Sequence, residues 1–131
     1  MPRDPELIRK LMLALEARPM RAGGIDTIDI KKNLQIDTYS PEEIDYHVRQ
    51  ILMSGWVDMG GGRNINPSGQ FSFRALTPEG HDFVDSVRDE AVWKLTKDGV
   101  TKAGGFTLET LSTLGKAFLK RQLEKHTGIE L

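Results

Sequence analysis

Cysteine is absent from the 131-residue chain, which excludes disulfides and thiolate metal sites and points to a reducing cytoplasm. No apolar run approaches the roughly 20 residues that a membrane-spanning helix needs, so no membrane partner is expected. The opening residues, MPRDPELIRK, lack the apolar stretch of a secretion signal. Net charge is nearly absent as well: 18 Lys and Arg against 19 Asp and Glu leave −1, which selects neither nucleic acid nor an acidic partner. What is present, 38% apolar and 28% charged side chains, suits one folded domain with a polar surface.

The charge is unevenly spread. Residues 1–40 are close to neutral, with 7 basic and 6 acidic side chains. Residues 41–92 carry 4 basic against 9 acidic, and residues 93–131 carry 7 basic against 4 acidic. The middle of the chain is acidic and its tail basic.

Periodicity places the elements. Leu7, Ile8, Leu11, Met12 and Leu15 share one face of a helix over residues 4–17, with Asp4 as its cap and Pro5 at its first position. Residues 25–39 read two ways. Ile28, Ile30, Leu34 and Ile36 alternate as a half-buried strand would, while the run Asp29-Ile30-Lys31-Lys32-Asn33-Leu34 also suits a short helix; extended structure is the preferred expectation. Ser40-Pro41-Glu42-Glu43 opens the clearest helix, with a capping box and two acids at the positive end of the dipole. Ile44, Val48, Ile51 and Leu52 form its buried stripe, and Tyr46, His47 and Arg49 fall outside or at the margin of that stripe. Gly55 ends it.

A short strand over residues 56–59, a loop over residues 60–69 and a second strand over residues 70–76 follow, which is the order of a winged helix with the loop as wing. Thr77-Pro78-Glu79-Gly80 then starts a helix expected to run to about residue 97. A last helix over residues 107–125 presents Leu108, Leu111, Leu114, Phe118 and Leu119 on one side and carries Lys116, Lys120, Arg121 and Lys125 in its later turns.

Several of these stretches stand in a familiar order. Leu7-Ile8-Arg9-Lys10-Leu11, Tyr39-Ser40-Pro41-Glu42-Glu43-Ile44-Asp45-Tyr46-His47-Val48 and Leu76-Thr77-Pro78-Glu79-Gly80-His81-Asp82-Phe83, then Arg88-Asp89-Glu90 and Trp93, resemble the phage and bacterial proteins grouped as domain of unknown function 2513. The resemblance spans most of the chain. It implies a winged-helix-like fold, often carried on prophages, and no assigned biochemical role. The triple glycine at residues 60–62, with a longer wing, departs from the family pattern.

Catalytic motifs are missing. Gly60-Gly61-Gly62-Arg63 lacks the Lys-Ser/Thr ending of a phosphate-binding loop, and no serine sits at a nucleophile elbow. His81, Asp85 and Asp89 at four-residue spacing could hold a cation, but a solvated acidic helix face is the simpler reading. No enzyme activity, cofactor or metal is therefore expected.

The residues together predict an α+β, mostly helical chain. A winged-helix-like domain with a small β-hairpin wing would occupy residues 1–98, and a C-terminal helical extension, residues 99–131, would pack on it or on a second subunit. The expected function is non-catalytic binding of phage or prophage type, with two candidate partners. A DNA-binding transcriptional regulator would contact duplex DNA through Tyr46, His47 and Arg49 on the groove helix and Arg63, Asn64 and Arg74 in and after the wing. Against it, that helix begins with Glu42, Glu43 and Asp45, three carboxylates that would face phosphates. A protein-interaction module or dimerising adaptor that leaves DNA alone would use Leu111, Leu114 and Phe118, and could form a homodimer.

Overall fold

Asp4 shows how the helix starts are encoded. In the computed structural model, which describes residues 1–19, 23–62 and 65–131, its backbone is extended and its Oδ1 accepts from the N–H groups of Glu6 (2.8 Å) and Leu7 (3.3 Å). These two amides have no partner inside the helix, so the cap satisfies them. Helix α1 (Pro5–Glu16) follows and buries Leu7, Ile8, Leu11, Met12 and Leu15 completely. Such full burial contributes about 1.5–3 kcal/mol for each large apolar side chain.

Residues 25–39 resolve into both of the structures their pattern allowed. Strand β1 (Asp26–Asp29) is extended as expected, but Ile30–Asn33 is a one-turn helix, α2. The switch is local chemistry. Asp29 accepts from the Lys32 N–H at 3.2 Å, while Asn33 Oδ1 accepts from the Asp29 N–H at 2.8 Å. These side chains offer the backbone a helical turn in place of a ladder. Ile28, Ile30 and Leu34 are buried all the same.

Helix α3 (Pro41–Met53) starts with the expected capping box. The Glu43 N–H donates to Ser40 Oγ and the Ser40 N–H donates to Glu43 Oε1, each at 3.1 Å. Strand β2 (Val57–Asp58) is shorter than its sequence pattern suggests. The return strand is divided at Arg74 into β3 (Gln70–Phe73) and β4 (Ala75–Leu76). β1 pairs antiparallel with β3, Ile28 opposite Phe71, and β2 pairs antiparallel with β4, Val57 opposite Leu76. The glycine pair after Met59 forms the turn: Gly60 (φ 64°) and Gly61 (φ 94°) both take positive φ, and the Gly62 N–H closes onto the Met59 carbonyl at 3.1 Å.

The chain forms two compact units, Met1–His81 and Asp82–Leu131. The first holds α1 through β4 in an order compatible with a winged helix. The boundary falls within α4 (Pro78–Val87). In the second unit the long helix expected over residues 77–97 is two helices, because Asp89 is extended and caps α5 (Glu90–Ala103) by accepting from the Val92 N–H at 3.0 Å. Helix α6 (Leu108–Thr127) begins with reciprocal bonds between Thr107 and Thr110 and ends at Gly128. Gly99 in α5 leaves room for Leu114 Cδ2, which stands 2.9 Å from where a Cβ would be, so the two helices approach closely. Val92, Trp93, Val100, Leu108 and Leu111 are the buried apolar residues of α5 and α6. The described residues thus make an α+β chain of six helices and four short strands.

Candidate binding site on helix α3

Helix α3 points one flank at a shallow groove of about 530 Å³. Glu42, Asp45, Tyr46 and Arg49 line it from α3, Lys31 from α2, and Pro67 and Ser68 from the loop before β3. Asn66 sets that loop. Its Oδ1 accepts from the Gln70 N–H (2.9 Å) and Ser68 Oγ (3.0 Å), and its own N–H donates to the Gln70 carbonyl (2.9 Å). A turn tied this way presents Pro67 and Ser68 at a defined place rather than as a floppy tip. Gly69 (φ 86°) completes it beside Asp45.

Two cations and two carboxylates line the groove, so its charge is balanced. Arg49 is held by its neighbour one turn back: Nε donates to Asp45 Oδ1 at 2.6 Å and a terminal nitrogen to Oδ2 at 3.4 Å. Both side chains are about one-third exposed. An i,i+4 pair of this kind stabilises the helix by only a few tenths of a kcal/mol, yet it sets the electrostatics, because the guanidinium's charge is largely matched where it stands.

His47 lies elsewhere than its sequence position suggests. It is buried at 1% exposure rather than at the margin of the helix. Nε2 accepts the Asp4 N–H at 2.8 Å, and Nδ1 lies 2.7 Å from the Glu43 carbonyl, so Nδ1 carries the proton and donates there. The ring ties α3 to the start of α1 and offers nothing to a groove ligand, which corrects its place among the DNA contacts. Tyr46 meets it edge-on, ring centroids 5.7 Å apart, and stays half-buried at the groove. Tyr39 joins the same cluster by donating to Asp4 Oδ2 at 2.9 Å. Burial first, then the bond to Asp4 and the charges of Asp4, Glu6 and Glu43, push its phenol up to about 12.

The remaining expected contacts are scattered. Arg74 is exposed between β3 and β4, 3.9 Å from Asp58, and is not among the groove's lining residues. Arg63 and Asn64 lie outside the described residues. The acidic stretch considered for a cation is dispersed too: His81 faces Glu16 at 3.9 Å, Asp85 pairs with Arg88 at 3.0 Å and Asp89 caps α5. The Val92 N–H, with smaller help from Gln122, the Ala91 N–H and His126, holds the Asp89 carboxyl below its usual value. Among the described residues no three His, Asp or Glu side chains gather as a metal site.

Of the apolar interaction residues, Leu111 is fully buried and belongs to the core of the second unit, not to an exposed seam. Leu114 is half-buried and lines a groove between α5 and α6. Phe118 is half-buried beneath the Arg121 guanidinium, 5.7 Å from its ring centroid. Lys31, Asp45 and the Asn66-Pro67-Ser68 turn were not singled out as site residues from the sequence. The Asn-Pro and Ser-Gly steps flanking that turn were the signal available for it.

A family model described as Hypothetical protein (DUF2513) matches residues 2–107. An uncharacterized protein of Haemophilus influenzae is 22% identical over 124 residues, covering 94% of this chain and 99% of that relative. No solved structure matches.

Proposed function

Given that the chain belongs to the family described as Hypothetical protein (DUF2513), we propose that it is a non-catalytic binding protein of winged-helix type whose α3 face takes another protein rather than duplex DNA. The winged-helix reading draws support from the order α1-β1-α2-α3-β2-loop-β3 and from the pairing of β1 with β3. The phage or prophage setting is part of the same reading and rests on the family resemblance, and the cytoplasmic location rests on the absence of cysteine.

One observation carries the choice of partner: the Arg49 guanidinium is already held by Asp45 at 2.6 Å, in a groove that also contains Glu42. DNA affinity grows with the number of phosphates neutralised by free cations, each releasing counterions. A cation matched by its own helix supplies little of that, and Glu42 repels the phosphates it would face. A protein with a basic edge meets the opposite situation, with Glu42 complementary to it and Tyr46 and Pro67 giving apolar contact.

Fluorescence anisotropy with a random pool of labelled duplexes, at low and moderate salt, tests this. No salt-dependent binding is expected from the full chain. Binding whose affinity falls steeply with salt and drops again in Arg49→Ala would overturn the proposal and make the protein a DNA regulator.

A further inference from the structure

Helix α6 carries one row of side chains that complements itself. Glu109, Thr113, Ala117, Arg121 and Lys125 recur every four residues, and all five are exposed. The row has an acid at one end, cations at the other and a small residue at its centre. Steps of four residues advance about 6 Å along a helix, so the two ends stand about 12 Å either side of Ala117. Rows of this i±4 type are the ridges by which helices most often pack on one another.

Beside the row lies a groove of about 370 Å³ between α5 and α6. Gly99, Val100 and Ala103 form one wall, and Glu109, Thr113 and Leu114 belong to the other. Its lining is mostly aliphatic, with Glu109 as its charged member.

We propose that this face binds a second copy of the chain, α6 against α6 in antiparallel sense, with the two-fold axis at Ala117. The charge pattern selects that occupant. Rotation about Ala117 sets Glu109 of each copy opposite Lys125 of the other, and Thr113 opposite Arg121, so the Glu109–Lys125 ion pair forms twice. The stems of Arg121 and Lys125 then lie over the aliphatic groove while their charged ends reach its rim, an arrangement suited to long cationic side chains. Ala117 has no bulk beyond Cβ and lets the helices cross closely. A parallel pairing would place like ends together and lose both ion pairs. The proposal goes beyond the protein-binding reading of the α3 face and uses a different surface, so DNA binding would refute that reading and leave this one standing.

Sedimentation velocity of the full chain, from micromolar to submillimolar concentration, is the test. A monomer–dimer equilibrium is expected. Glu109→Lys should weaken it about tenfold, because it replaces two attractive pairs by two repulsive ones. The double variant Glu109→Lys/Lys125→Glu should restore it. Since the protein has no cysteine, Ala117→Cys gives a single thiol that should form an intermolecular disulfide on mild oxidation, whereas Lys94→Cys should not. All these positions are exposed, and circular dichroism checks that each variant folds. A monomer at every concentration overturns the proposal. So does a dimer indifferent to Glu109→Lys, or one that Ala117→Cys fails to cross-link.

Discussion

Gly80→Ala should destabilise the protein although it removes a glycine from a helix. Gly80 is the third residue of α4, and the usual expectation for Gly→Ala in a helix is a gain of about 1 kcal/mol. Here a Cβ would overlap the Trp56 carbonyl oxygen and lie 3.1 Å from the carbonyl carbon. Those are backbone atoms and cannot swing aside as a side-chain tip can. The same oxygen accepts the Thr77 N–H at 3.0 Å, and Thr77 in turn caps α4 and donates its hydroxyl to the Gly55 carbonyl at 2.7 Å. Pushing Trp56 away therefore costs overpacking, about 1–3 kcal/mol, and weakens a hydrogen bond worth about 0.5–1.5 kcal/mol. After the propensity gain the net loss is about 1–3 kcal/mol. Urea unfolding followed by circular dichroism measures it as a lower midpoint at unchanged slope. Gly99→Ala is the internal contrast, since its added Cβ meets only the flexible tip of Leu114 at 2.9 Å and the expected change is near zero. A Gly80→Ala variant as stable as the parent would refute the reasoning, because the backbone would then have yielded at no cost.

Two further perturbations test the cluster at the start of α1. His47→Phe keeps a ring of similar size and deletes the bonds to the Asp4 N–H and the Glu43 carbonyl; a loss of about 1–3 kcal/mol is expected by denaturant titration, and unchanged stability would show these bonds to be idle. Tyr39, with its phenol at about 12 against an ordinary 10.0, holds its proton more tightly when folded. Its contribution is fully present below pH 10 and is lost as pH rises towards about 12, because only the unfolded chain releases the proton in that window. In a Tyr46→Phe background the phenolate absorbance should rise near pH 12. Tyr39→Phe should flatten that part of the stability profile, and an ordinary titration near pH 10 would refute the assignment.

Much of the fold is legible because it is local. Asp4-Pro5 and Ser40-Pro41-Glu42-Glu43 name their helix starts within four residues, and the stripe of Leu7, Ile8, Leu11 and Leu15 names the buried face. The site was less legible. Tyr46 and Arg49 do flank a groove, but the turn built on Asn66 that closes it depends on bonds which periodicity does not reveal.

By itself, then, the sequence determined the caps at Asp4 and Ser40, the apolar faces, the helix-strand-loop-strand order from residue 41 to residue 76 and the acidic start of α3, since each depends on neighbours a few residues apart. The folded structure decided what spacing leaves open, through cap bonds that leave no mark in the period and through contacts between distant segments. Ile28 and Ile30 are buried whether residues 25–39 form a strand or a helix, so only the pairing of β1 with β3 and the cap at Asp29 divide that segment. Four-residue spacing runs unbroken across residues 88–89, and only the cap bond at Asp89 shows that α4 ends and α5 begins. His47 reads as a surface residue until Asp4, 43 positions earlier, supplies the amide that draws it inside. Gly80 reads as a weak point in a helix until Trp56 is seen to occupy the space a side chain would need. Contacts between distant segments have no period, and for that reason they appear only when the chain is folded.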